Sequence, residues 1–93
     1  MIKSFRCKET EKIFWEKKSR KFPPEIAVRG KIKLDMLDAV EEKQDLRVPP
    51  SNHLEELKGN LQGFMSIRIN KQFRLVFRFE NGEAHDVHIT DYH

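Results

Sequence analysis

Three stretches near the end of the chain decide the fold: Gly63-Phe-Met-Ser-Ile-Arg-Ile-Asn70, Lys71-Gln-Phe-Arg-Leu-Val-Phe-Arg-Phe79 and Ala84-His-Asp-Val-His-Ile-Thr-Asp-Tyr-His93. Each alternates apolar and polar residues, the two-residue period of a half-buried strand. Met65, Ile67 and Ile69, then Phe73, Leu75, Phe77 and Phe79, then Val87 and Ile89 share the inward parity. The opposite face carries Phe64, Ser66, Arg68, Arg74, Val76, Arg78, Asp86, His88, Thr90 and Tyr92. Residues directly opposite in an antiparallel pair share a face, so parity also fixes register. A three-residue connection at 70–72 sets Ile69 against Phe73 and hence Arg68 against Arg74, beside Thr90. Asn70 is the residue expected to tolerate a left-handed turn there. At Asn81-Gly82 the same rule sets Glu80 against Ala84, or requires a bulge, and brings Arg78 to Asp86.

Upstream, Met1–Arg6 alternates and reads as a short edge strand. Glu9–Lys17 reads as a helix with Ile13 and Phe14 inward, and Thr10 is a candidate cap. Ser19 to Phe22 is a basic link. Pro23-Pro24 opens a longer helix, where proline suits the first turn. Ile26, Gly30, Leu34, Leu37 and Val40 recur at helical spacing, flanked by Val28, Ile32 and Met36, so this helix should lie flat on the sheet. Gly30 suggests a close helix–helix approach. The stretch from Asp45 to Gly59, with Pro49 and Pro50, reads as a long loop outside the core, a length often functional. The order is strand, two helices, long loop and antiparallel meander: an α+β fold in one domain, residues 1–93.

Ninety-three residues support one small core. No apolar run approaches the ~20 residues needed to cross a bilayer. The start lacks a hydrophobic signal region, and the lone Cys7 fits a reducing compartment, so a cytoplasmic location is expected. Residues 1–33 carry a local +7, residues 34–46 carry −4, residues 47–79 carry +4, and the remainder −4, giving the net +3. A basic majority with acidic islands suits a nucleic acid or an acidic protein as partner.

The Arg68–Arg74 pair is the sharpest chemical feature. Like charges opposite one another are unfavourable unless an anion bridges them, and no acid is predicted beside these two. They read as a phosphate clamp. Solvated arginines or an acidic partner segment would satisfy the same pattern. Lys12, Lys17, Lys18, Arg20 and Lys21 form a basic run suited to RNA backbone, or simply to a solvated face. His53, His85, His88, His93 and Cys7 show no zinc-ligand spacing, and strict alternation puts His85 and His88 on opposite faces. No phosphate-binding glycine loop or nucleophilic triad is present, so no metal or cofactor is expected.

Met1-Ile-Lys-Ser-Phe, Leu37-Asp-Ala, Asp45-Leu-Arg, Pro49-Pro-Ser-Asn and Leu54-Glu-Glu-Leu-Lys-Gly59 occur in order, followed by Ser66-Ile-Arg-Ile-Asn, Phe73-Arg and the terminal Asp91-Tyr92-His93. With these segments the chain resembles the HigB toxins of the RelE/ParE superfamily over nearly its whole length. The resemblance implies a RelE-like fold and a toxin of a type II toxin–antitoxin module. It implies a ribosome-dependent endoribonuclease that cuts messenger RNA in the A site. Its partners would be a HigA-type helix-turn-helix antitoxin, the ribosome and mRNA, with operator DNA reached only through the antitoxin complex and no membrane. Catalysis would rest on Lys58, Arg74, Tyr92 and His93. Asp91 would orient His93, and Arg68 would assist at the phosphate. One departure stands out: Glu55 occupies a position where a family member carries a catalytic histidine, and His53 lies two residues earlier. Glu55 is therefore either a base or merely a solvated loop acid; it and His53 also stand among the candidate RNA contacts. Phe73 replaces a tryptophan common in the family. Two other readings are a ParE-like DNA gyrase inhibitor and a weakly catalytic relative acting as antitoxin co-repressor.

Overall fold

The structure, a computed structural model, describes residues 1–91. Two helices, α1 (Lys8–Glu16) and α2 (Pro24–Ala39), pack on one face of an antiparallel sheet. The strands are β1 (Glu55–Glu56), β2 (Met65–Arg68), β3 (Phe73–Glu80) and β4 (Glu83–Asp91), in the spatial order β1-β2-β3-β4. The α+β reading holds, with one strand more than the meander foretold.

Inward parity is borne out where it matters for the core. Ile67, Leu75, Phe77 and Val87 meet Ile13, Leu34, Leu37 and Leu46, all of them fully buried. Each such side chain contributes on the order of 1.5–3 kcal/mol over its exposed state. Phe73 is also buried, edge-on to Phe22 at 5.8 Å between ring centroids, so its ring serves packing.

The helices depart from expectation in detail. Cys7, extended at φ −131°, precedes the first turn of α1, and Glu9 and Glu11 complement its positive end. Thr10 is not the cap. It lies inside α1, fully buried, and its Oγ1 accepts a hydrogen bond of 3.0 Å from the Ile89 backbone N–H. On α2 only Ile26, Ala27, Gly30, Leu34 and Leu37 are buried; Val28 and Ile32 face outward, so the apolar stripe is narrower than its sequence suggests. Gly30 serves helix–sheet contact: a Cβ there would lie 3.2 Å from Ile89 Cδ1.

The long connection is partly core, which corrects its reading as an external loop. Leu46 and Asn52 are both fully buried. Asn52 Nδ2 donates to the Leu46 carbonyl at 3.0 Å, and its Oδ1 accepts from Lys33 Nζ at 2.6 Å. One buried amide thus ties the loop to α2, which explains how a segment poor in apolar residues stays ordered.

Met1–Arg6 does run along the sheet edge, beside β4, as two isolated parallel bridges, Ile2 to Ala84 and Phe5 to Val87. Between those bridges sits a bulge. Register runs Val76 to His88 and then Arg78 to His85, so Asp86 and Val87 face the single residue Phe77. Asp86 takes φ 54°, and its backbone N–H donates to Ser4 Oγ at 2.9 Å. The bulge lets a two-residue turn at Asn81-Gly82 join Glu80 to Glu83, rather than Glu80 to Ala84. It also brings His85 and His88 onto the same, outer face, against strict alternation. Among the described residues no group of three or more potential metal ligands forms.

Candidate functional site

The outer face of the sheet is built around Arg74. Its register partners are Arg68 on β2 and Thr90 on β4, as the sequence requires. The face is not open at its centre, however. Ser66, Arg74 and Val76 are all buried, with Arg74 only 7% exposed.

Burial of a guanidinium demands partners, and the fold supplies them. Arg74 Nε donates to Ser66 Oγ at 2.8 Å. One terminal nitrogen donates to the His53 carbonyl at 2.5 Å and lies 3.8 Å from Glu55 Oε1. Glu55 comes into reach because β1 pairs it with Ser66, placing both on the Arg74 face. His53 contributes backbone rather than imidazole: at φ 46° it turns its carbonyl toward Arg74 while its side chain is exposed. Sequence reasoning missed Ser66 as a site residue. Register alone could have found it, since Ser66 lies diagonal to Arg74 across the β2–β3 pair.

Arg68 is half-buried and its Nε donates to the Asn70 carbonyl at 3.1 Å, which turns the side chain toward the β2–β3 connection. That connection is held by Asn70 Oδ1, accepting from the Gln72 and Phe73 backbone N–H groups at 2.8 and 2.7 Å. The asparagine therefore works through its side chain, not through a left-handed backbone. Asp91 is the register partner of inward-facing Phe73 and accepts from Gln72 Nε2 at 3.0 Å. It therefore projects from the helix side of the sheet's end, whereas Thr90 stands beside Arg74.

Lys58 is exposed and lines a hollow of about 660 Å³ with Lys43, Glu56, Phe64 and Phe79. Lys12, Lys17, Lys18 and Arg20 line a separate depression with α2 residues Ala27 and Val28, on the helical layer. Glu9 organises that link: its Oε1 accepts from the Arg20 backbone N–H at 3.1 Å and from Ser19 Oγ at 3.0 Å, which lowers its pKa. Lys21 differs from its neighbours. It lines a hollow with Arg6, Cys7, His88, Thr90 and Asp91, at the end of β4 from which the chain continues to Tyr92 and His93. Those two candidates lie outside the described residues.

His88, which sequence reasoning does not single out as a candidate, stands in this outer cluster, edge-on to Phe64 at 6.3 Å. Its Nδ1 lies 2.8 Å from the Asp86 carbonyl, which can only accept, so that nitrogen carries the proton. Burial first, and then the Arg6 charge, lower the His88 pKa against the opposing pull of Asp86. Arg78, by contrast, is structurally committed, with Asp86 at 3.0 Å and Glu80 at 2.9 Å. The Arg78–Asp86 ion pair expected from sequence forms, although the bulge makes His85 its register partner.

Residues 3–93 match the family model for the RelE-like toxin of the type II toxin–antitoxin system HigB. The chain is 42% identical over 85 residues to Toxin HigB-1 of Vibrio cholerae, covering 90% of each protein. It is 31% identical over 93 residues to Endoribonuclease HigB of Proteus vulgaris, covering 100% of both. Among solved structures, YafQ from E. coli superposes with a TM-score of 0.64 at 9% identity, covering 98% of this chain and 91% of that one. The Staphylococcus aureus YoeB–YefM complex contains a chain with a TM-score of 0.63 at 22% identity, covering 100% of this chain and 95% of that one. At those identities the structural likenesses speak to the fold. The family model and the two relatives establish membership: this chain belongs to the HigB family of RelE-like toxins from type II toxin–antitoxin systems.

Proposed function

We propose that this toxin is an endoribonuclease that cuts messenger RNA in the ribosomal A site. This reading rests above all on the buried Arg74 guanidinium, fixed by Ser66 and the His53 carbonyl and facing Arg68 across the sheet. A cation held rigid before reaction stabilises charge developing on phosphoryl oxygens without reorganising. The name of the Proteus vulgaris relative, an endoribonuclease, supports the same reaction class.

In the proposed reaction the RNA 2′-hydroxyl attacks the adjacent phosphorus in line. The products are a 2′,3′-cyclic phosphate and a 5′-hydroxyl. Arg74 and Arg68 receive the charge on the non-bridging oxygens, and Lys58 supports it. Glu55, a carboxylate within 3.8 Å of Arg74, accepts the 2′-hydroxyl proton. His93 returns a proton to the 5′-oxygen, with Tyr92 orienting the nucleophile or stacking on a base. Asp91 orients His93. No metal or other cofactor enters this scheme. Lys17, Lys18, Arg20 and Lys21 provide ribosomal RNA contacts. The toxin is neutralised by a HigA-type helix-turn-helix antitoxin, and reaches operator DNA only within that complex.

Expression in growing cells tests the reading against its rivals. Rapid loss of amino-acid incorporation ahead of any DNA-damage response is expected. A DNA-damage response with translation intact would favour gyrase inhibition. Unimpeded growth would favour the co-repressor.

A further inference from the structure

We propose that the cavity between α2 and the β2–β3 connection is a second binding site for RNA backbone, continuous with the Arg68–Arg74 pair. This rests on the ribonuclease reading and extends it. The cavity measures about 450 Å³, and Arg29, Lys33, Arg68 and Lys71 line it against one carboxylate, Glu25. That volume falls within the range of small-molecule sites, roughly 300–1,000 Å³.

Two of the lining cations, Lys33 and Arg68, are held in place by neutral groups. Lys33 Nζ is anchored on the neutral amide oxygen of Asn52, at 2.6 Å. Arg68 Nε is anchored on a backbone carbonyl, at 3.1 Å. Among the described residues of the lining, Arg29 alone has an acid partner, Glu25 at 3.1 Å. Four cations less one anion leave an excess of three positive charges around one concavity. Consistent with that excess, burial and then the Arg29 charge lower the Lys33 pKa. Ser51, also in the lining, adds a hydroxyl suited to a phosphate oxygen. The occupant that reduces this repulsion is polyanionic.

Arg68 identifies which polyanion. It is the one residue shared between the cavity wall and the register pair with Arg74. Its partner strand lies about 4.7–4.9 Å away. A single phosphodiester chain with one phosphate at Arg74 therefore passes Arg68 and enters the cavity without a break. An acidic protein segment has no comparable reason to span both places.

The test uses the purified full chain and a 2′-O-methylated single-stranded RNA oligonucleotide, which binds but cannot be cut. Affinity is measured by fluorescence anisotropy across a salt series for wild type, Arg29→Gln/Lys71→Gln, and the control Lys8→Gln on exposed α1 surface. Both cavity positions are exposed, and thermal melts verify that the variants fold. Removing one cation from the phosphate backbone lowers the salt slope by about 0.7 for a single strand, so the double variant loses about 1.4 in slope and roughly ten- to thirty-fold in affinity near 0.1 M salt. The control keeps the wild-type slope. Unchanged slope and affinity in the double variant would overturn the proposal, as would loss of antitoxin binding with RNA affinity intact. If wild type binds RNA with the expected variant effect but leaves no cuts in ribosome-bound messenger, the cavity stands and the ribonuclease reading fails. If wild type cuts and the double variant binds RNA as wild type does, the reverse holds.

Discussion

Arg74 Nε and Ser66 Oγ lie 2.8 Å apart across the β2–β3 pair, both in residues that solvent scarcely reaches. The relationship means that the guanidinium proposed for catalysis is also a structural group. Its position is set by a neighbouring strand, not by the ligand.

Ser66→Ala should therefore weaken both stability and activity. It removes the hydroxyl acceptor of a buried guanidinium N–H, a cost of about 1–3 kcal/mol. Urea unfolding should show a lower midpoint at unchanged slope. Translation inhibition at saturating toxin should fall as well, because the cation is no longer held. Full activity in a destabilised variant would separate the two roles.

The two arginines of β3 should behave differently. Arg78 lies in a partly exposed ion-pair cluster with Asp86 and Glu80, and such pairs contribute no more than about 1 kcal/mol. Arg78→Ala should keep toxicity. Arg74→Lys preserves charge but cannot reproduce the fork that reaches Ser66 and His53, so toxicity should be lost. Growth assays on inducible expression compare them; equal losses would remove Arg74 from its special place.

Acid should destabilise the protein through His88. Its pKa in the fold is below the ordinary 6.5, so the unfolded chain binds the proton more readily. Its contribution is intact above pH 6.5 and is lost as pH falls through the folded value. The charges around the ring are Arg6, which opposes protonation, and Asp86, which favours it. Denaturation midpoints measured from pH 7.5 to 5 should decline, and His88→Gln should flatten the decline.

Glu55→Gln should slow cleavage while leaving the melting temperature near wild type, since Glu55 is exposed. Lys58→Ala and removal of Tyr92-His93 should likewise relieve toxicity in a folded protein. If Glu55→Gln cuts at the wild-type rate, the general base lies elsewhere.

Parity and turn length suffice to place Ile67, Leu75 and Phe77 inward and to set Arg68 against Arg74, because hydrophobic alternation admits only one register there. The Asp86 bulge is only one of two options in the sequence, and it moves His85 to the outer face. It depends on a distant partner, Ser4 Oγ, which a local pattern does not display. Asn52 and Leu46 are illegible for a related reason: a buried amide surrounded by prolines and polar residues reads as loop until its carbonyl partners are known. At the site, residue types are legible and their surroundings are not. Nothing in the order Ser66, Arg74 announces that both are buried, and nothing in His53 foretells that its carbonyl is the part used.

The central claim is tested most directly by mapping RNA 5′ ends on a translated messenger in a purified translation reaction. New ends within codons, carrying 5′-hydroxyl groups, should require both this protein and ribosomes and should vanish with Arg74→Lys. An intact messenger in a reaction whose translation continues would contradict the claim.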